Sequence, residues 1–186
     1  KLNSHAIKIA SMDATNGSLV SYASRSQKPV LVSTGMSTLQ EIKETSKLLD
    51  SSKDIILHCV SQYPTLTKDT CLGSFQDIST AVPDFILGLS DHTKDLISSI
   101  ASLSRFDIRI FEKHFTIDKD LPGPDHSISL DPKELKYHID SLKDIFLSFS
   151  NSIANRADDQ SRRQMRRGVY YSQNKKAGSV IKEDDF

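Results

Sequence analysis

Five short apolar runs recur along the chain: 6–11 (AIKIAS), 30–34 (VLVST), 55–60 (IILHCV), 85–90 (FILGLS) and 108–115 (IRIFEKHF). Their starts are separated by 24, 25, 30 and 23 residues. Each interval has the length of a strand, a helix and two loops. Alternating strand–helix units place their strands side by side in a parallel sheet, which makes the expected fold class α/β.

The segments between the runs carry helix signals. Thr38 precedes Glu41 by the spacing of a capping box. Leu39, Ile42 and Leu49 then fall on one helical face. Leu96, Ile97, Ile100, Ala101 and Leu103 form an apolar stripe after the fourth run. Before the last helix, Asp131 is a cap, Pro132 fits the first helical position and Glu134 completes a box. Leu135, Ile139, Leu142, Phe146 and Phe149 repeat along it at helical spacing. Residues 151–167 are polar, with Arg156, Arg162, Arg163, Arg166 and Arg167, and read as a partly helical linker. That basic run suits either a solvated face or a phosphate or partner contact. Residues 168–186 read as two strand-like pieces around a Lys-Ala-Gly turn, the opening of a further small domain. The expected organisation is therefore 1–150, 151–167 and 168–186.

Charge and composition exclude several classes. Twenty-four basic side chains balance 24 acidic ones, so the chain lacks the global positive field of a nucleic-acid binder. No apolar run approaches the roughly 20 residues that span a bilayer. The first ten residues contain no secretory signal pattern. Two cysteines, Cys59 and Cys71, do not make a disulfide framework and read as reduced thiols of a cytoplasmic protein.

Ligands of parallel α/β sheets bind at the carboxyl ends of the strands. Here every run exits in polar residues: Lys8 and Ser11, then Ser33, Thr34 and Gly35, then Ser61 and Tyr63, then Ser90-Asp91-His92-Thr93, then Glu112 and His114. Strand alternation places Ile108, Ile110, Glu112 and His114 on one face and Phe111, Lys113 and Phe115 on the other. His92 and His114 are the natural pair for a divalent metal, although two histidines without fixed local spacing also describe a hydrogen-bonded polar rim. His58 reads as a core histidine, and His5 and His138 as surface residues. His126 neighbours Asp125 on the rigid turn LPGPDH, which delivers a carboxylate after the last strand. Lys8, Ser11, Ser33 and Ser90 suit a phosphate cradle of one point charge and several directed donors. Each serine alone equally suits a helix cap.

The strings KIAS (8–11), KPVLVSTGMSTLQEI (28–42), LHCVSQYPT (57–65), GLSDHT (88–93), EKHFT (112–116) and PGPDHSISLDP (122–132) resemble the sialic acid synthase family, in order and in spacing. RRGVYYSQNKKAGSVIKEDDF is more loosely similar to the opening of that family's antifreeze-like (SAF) domain. The resemblance implies a TIM (β/α)8 barrel of which the five runs are strands four to eight, followed by a linker and a truncated SAF domain. It implies condensation of phosphoenolpyruvate with an N-acylated hexose, N-acetylmannosamine or a legionaminate precursor, to give a nonulosonic acid and phosphate.

The resemblance also distributes roles. Lys8, Ser11, Ser33, Ser61 and Ser90 hold the phosphate of phosphoenolpyruvate. His92 and His114 bind Mn2+ or Mg2+, while Tyr63, Glu112 and Asp125 surround the sugar. A homodimer is implied, with the small domain covering the neighbour's barrel mouth. The family's early-strand acid and lysine and its SAF arginine have no counterpart between Lys1 and Phe186, so the chain alone is expected to be catalytically incomplete. The rival expectations are another metal-dependent TIM-barrel lyase or aldolase, and an inactive half-barrel that serves as an interaction module.

Overall fold

A computed structural model describes residues 4–150 and 157–186. The chain divides into two compact units, Lys1–Ser148 and Phe149–Phe186. In the first, five strands pair in chain order, all parallel: β1 Ile7–Ile9, β2 Val30–Ser33, β3 Ile55–Cys59, β4 Ile86–Asp91 and β5 Phe111–Lys113. Helices α1 Gly17–Ser24, α2 Leu39–Ser46, α3 Ser74–Ala81 and α4 Ile97–Phe106 connect them, and α5 Pro132–Ser148 follows β5. Each apolar run thus contains a strand, and the sheet curves into an open half-barrel with β1 and β5 at its edges.

Alternation divides each strand between two environments. The outward side chains meet the helices. Ile9, Val30 and Val32 pack with Val20 and Ala23 of α1. Ile56 packs with Ile42 of α2 and Ile78 of α3, and Leu89 with Phe75 of α3. The helices begin where their caps dictate. Thr38 and Glu41 exchange both capping-box hydrogen bonds at α2. At α5, Asp131 accepts from the amides of Lys133 and Glu134, and Glu134 accepts from the Asp131 amide.

Asp54 clamps the amino-terminal end of the sheet. It is fully buried just before β3. Its carboxylate accepts from Ser24 Oγ at 2.5 Å, Val30 N at 3.0 Å, Asp50 N at 2.9 Å and Lys53 Nζ at 3.2 Å. Burial alone would raise its pKa, but the hydrogen bonds from Asp50, Ser24, Val30 and Lys53 outweigh it and lower the pKa.

Several expectations need correction. Ile108 does not share a face with Glu112 and His114. It lies in the outer core with Phe75 and Leu89, because β5 begins only at Phe111 and Asp107 turns the chain with φ 54°. On α4 the buried side chains are Ser98, Ser99, Ser102 and Leu103, while Ile97 is 57% exposed. Small side chains face the sheet there because the helix lies close to β4 and α5. His138 is buried at 4% exposure, since it sits on the inward face of α5. His58 is a core histidine as read, donating from Nε2 to the Thr70 carbonyl at 2.8 Å and packed edge-on against Phe75. Cys59 and Cys71 are free thiols.

In the second unit, the described part of the linker contains α6 Asp159–Met165, capped by Asp158. The rest of that expectation, residues 151–156, lies outside the described residues. Among the described residues, 168–186 form no strand, since an extended run becomes a strand only against a pairing partner. Instead Ser172 N donates to the Asp185 carbonyl at 2.7 Å, Lys175 pairs with Asp185, and Tyr171 stacks on Phe186. Among the described residues, no helix is long and apolar enough to cross a membrane.

Two outcomes follow from the buried groups. Asp54→Ala strands several buried donors, so it should cost about 3–5 kcal/mol, read as a lower urea midpoint with an unchanged slope. Desolvation holds the His58 pKa below its ordinary 6.5. The unfolded chain therefore takes up a proton that the folded chain resists. Stability present above pH 6.5 falls as pH drops through that value toward the folded pKa. His58→Gln, which keeps a donor for Thr70, should flatten the fall in Tm between pH 7.5 and 5.5.

Candidate active site at the carboxyl edge of the sheet

The inward half of the strand alternation ends in polar side chains. Lys8 of β1 and Glu112 of β5 reach across the concave face. Lys8 Nζ lies 3.3 Å from Glu112 Oε2, and Nζ donates to the Ile9 carbonyl at 3.1 Å. Glu112 Oε2 is buried without a directed hydrogen bond, so the contact is an ion pair of poor angle. Both side chains stay about a third exposed. Lys8 is less buried than its position in an apolar run suggests.

The serines gather at the ends of β1 to β4. Ser33 is buried at 2% exposure, and its Oγ has no partner. Ser61 Oγ is likewise a buried atom without a partner. Ser11 Oγ accepts from Gly35 N at 3.0 Å, which leaves its own proton free to donate. Ser90 is buried one residue before the end of β4. Orphaned buried hydroxyls are costly unless they serve a ligand or water. Gly35 is required for this crowding. A Cβ there would lie 2.6 Å from Ser61 Oγ, 3.0 Å from Cys59 Sγ and 3.1 Å from the Cys59 carbonyl.

His92 and His114 meet beyond the ends of β4 and β5. Their rings lie 5.2 Å apart at an interplanar angle of 69°. Tyr63 covers both, 4.2 Å from His92 and 5.6 Å from His114. It follows β3 on a loop with a cis Tyr63-Pro64 bond. His92 Nδ1 lies 2.7 Å from the Val60 carbonyl. A carbonyl can only accept, so Nδ1 carries the proton and the lone pair lies on Nε2. Desolvation, then the neighbouring His92, lower the His114 pKa below 6.5 against the pull of Asp125 and Glu112. His114 is therefore neutral near pH 7. Desolvation first, and then Cys59, Asp125 and Glu112, raise the Tyr63 phenol above 10, so it remains a donor.

Asp125 is delivered by the loop after β5 to 3.9 Å from His114 Nδ1. That loop is tied down on both sides. Leu130 N donates to the His114 carbonyl, Thr116 N donates to the Leu130 carbonyl, and Thr116 Oγ1 lies 2.8 Å from His126 Nδ1. His126 thus braces the loop that carries Asp125. Among the described residues, no three His, Cys, Asp or Glu side chains converge closely enough to hold an ion by themselves. His92 and His114 are the two imidazoles that this edge brings together.

Sequence reasoning named Asp91 and Lys113 but did not pair them. Asp91 Oδ2 lies 3.1 Å from Lys113 Nζ, with side chains 1% and 5% exposed. Their signal was opposite charges on the helix-facing side of adjacent strands, one residue before each histidine.

The NeuB family model matches residues 1–154. The chain belongs to the NeuB family. An N-acetylneuraminate-9-phosphate synthase from Drosophila melanogaster is 40% identical over 138 residues, 73% of this chain and 37% of that protein. An N,N'-diacetyllegionaminic acid synthase from Legionella pneumophila is 32% identical over 191 residues, 97% of this chain and 52% of that protein. The crystal structure of an N-acetylneuraminic acid synthetase from Leptospira borgpetersenii superposes with a TM-score of 0.72 at 29% identity, covering 89% of this chain and 60% of that one. The chain spans about half, or less, of the length of the curated relatives it matches.

Gly35→Ala should spare the fold, because α2 begins only at Leu39. An added Cβ, 2.6 Å from Ser61 Oγ, should displace that hydroxyl and weaken binding of inorganic phosphate, used as a probe, at least tenfold, measured by calorimetric titration.

Proposed function

We propose that the protein is a nonulosonic acid synthase, condensing phosphoenolpyruvate and water with an N-acylated hexose to give a sialic-type acid and phosphate, with C–O cleavage of the phosphate. The observation that carries this reading is the His92–His114 pair, closed over by Tyr63 at the strand ends that also present the orphaned serine hydroxyls. The family's relatives, which include sialic, legionaminic and pseudaminic acid synthases, support the reaction class. On this reading the five strands are the fourth to eighth of a TIM barrel, and residues 168–186 open an SAF domain. The working unit is a homodimer in the cytoplasm.

The side chains divide the work. Lys8 supplies a positive charge to the phosphate, and Ser11, Ser33, Ser61 and Ser90 supply directed donors. Glu112 neutralises Lys8 when the phosphate is absent, so the cradle is not left as an isolated charge. His92 and His114 present imidazole nitrogens that would hold Mn2+ or Mg2+. When bound, such an ion polarises the aldehyde of the open-chain sugar as a Lewis acid. Tyr63 and Asp125 border the same space and orient the sugar hydroxyls, with the protonated phenol as donor and the carboxylate as acceptor. Positioning and charge stabilisation provide most of the rate in such a condensation.

The test is phosphate release from phosphoenolpyruvate by the full-length protein, with N-acetylmannosamine or a legionaminate precursor and Mn2+. Sugar-dependent release, abolished by EDTA and reduced at least a hundredfold in His92→Ala, is the expected result. Silence with every hexose from a folded, metal-binding protein would overturn the reading.

A further inference from the structure

Asp91 and Lys113 are register partners on β4 and β5. Each immediately precedes one histidine of the pair. They point outward, whereas His92 and His114 project from the opposite side of the same two strand ends. Every polar atom of the pair is engaged. Asp91 Oδ1 accepts from Thr93 N at 2.9 Å, and Oδ2 accepts from Ser99 Oγ of α4 at 3.0 Å and from Lys113 Nζ at 3.1 Å. Lys113 Nζ also donates to the Thr93 carbonyl at 2.6 Å and the Asp95 carbonyl at 3.1 Å. The chain leaving β4 is thereby folded back onto β5. His92 lies between the two residues, Asp91 and Thr93, that the network holds.

We propose that the Asp91–Lys113 ion pair is a positioning device that sets the separation and orientation of the His92 and His114 imidazoles for a divalent cation. The inference rests on reading the two histidines as metal ligands. A buried pair of this kind carries a desolvation cost that an apolar pair of similar size avoids. A purely structural task at this place could be met by apolar packing, as Leu89 shows one turn of the alternation earlier. What apolar side chains cannot supply is the set of directional bonds to Thr93 and Asp95, which fix the backbone immediately after His92.

The experiment measures free Mn2+ by electron paramagnetic resonance during titration of the substrate-free protein, well below each variant's Tm. The variants are Asp91→Asn, Lys113→Met, their double variant, Ser99→Ala and His92→Ala. Imidazole nitrogen NMR of the metal-free protein gives a second readout. Asp91→Asn and Lys113→Met should each weaken Mn2+ binding by about tenfold or more, the usual loss when a ligand's outer support is removed. The double variant should lose no more than either single, because the pair acts as a unit. The His92 ring in the metal-free single variants should lose its single Nδ1-protonated signature.

Ser99→Ala removes only one bond to Asp91 and keeps the charges, so it decides the matter if the charge variants do not fold. It should weaken Mn2+ binding by about threefold, a fraction of the same effect. Folded variants that bind Mn2+ as the parent does, with an unchanged His92 signature, would overturn the proposal and leave the metal reading intact. A parent protein whose Mn2+ binding is absent, or is unaffected by His92→Ala, would overturn the metal reading and this proposal with it.

Discussion

The two-residue alternation of five short parallel strands is the constraint on which everything else depends. Each strand contributes one set of side chains to the helix layer and the other to the concave face. Val30 and Val32 go outward to α1, while Ser33 goes inward. Phe111 and Lys113 go outward, while Glu112 and His114 go inward. A slip of one residue in any strand would exchange the two sets and put valines in the site and hydroxyls in the core. The apolar outward set makes such slips costly. The register of the site is therefore enforced by residues that never touch it.

Charge is placed on the outward side only where it can be fully satisfied. Asp54 at the amino-terminal end and Asp91 at the carboxyl end are the clearest cases. Each accepts backbone N–H, serine hydroxyl and lysine bonds in a setting without solvent. They tie different elements. Asp54 joins α1, β2 and the turn before β3, whereas Asp91 joins β4, β5 and α4. The inward face follows the opposite rule. Its groups are under-satisfied: the Ser33 and Ser61 hydroxyls have no hydrogen-bond partner, and Glu112 Oε2 has only its ion pair with Lys8. The helix layer keeps two orphans of its own, Ser98 Oγ and His138 Nε2, but its buried carboxylates are fully bonded, whereas the concave face leaves hydroxyls open at the strand ends.

Much of this was legible in the sequence, for identifiable reasons. Strand order follows from evenly spaced apolar runs, and the capping boxes at Thr38 and Asp131 follow from local hydrogen bonding alone. The site residues were visible because the inward alternation ends in hydroxyl, imidazole and carboxylate groups at strand exits. What escaped depends on which element packs against which. His138 looks like a surface residue until α5 is laid against the sheet. Lys113 shares a strand face with Phe111 and Phe115, and its partner is visible only once Asp91 is seen at the same register. The apolar stripe of α4 misled because burial on that helix is decided by closeness to β4, not by hydrophobicity. The pieces around Lys176-Ala177-Gly178 read as strands because composition cannot say whether a pairing partner is present.

The serine face of α4 has a consequence for how this sequence can drift. Ser98, Ser99 and Ser102 are fully buried, so one added methyl or methylene group at any of them has nowhere to go. The helix would have to move away from β4, and Asp91 would move with it or lose its hydroxyl partner. Variation at these three plain-looking positions is therefore tied to the chemistry on the far side of the sheet. Among relatives that keep the histidine pair, these positions should stay small even where neighbouring surface residues of the same helix change freely.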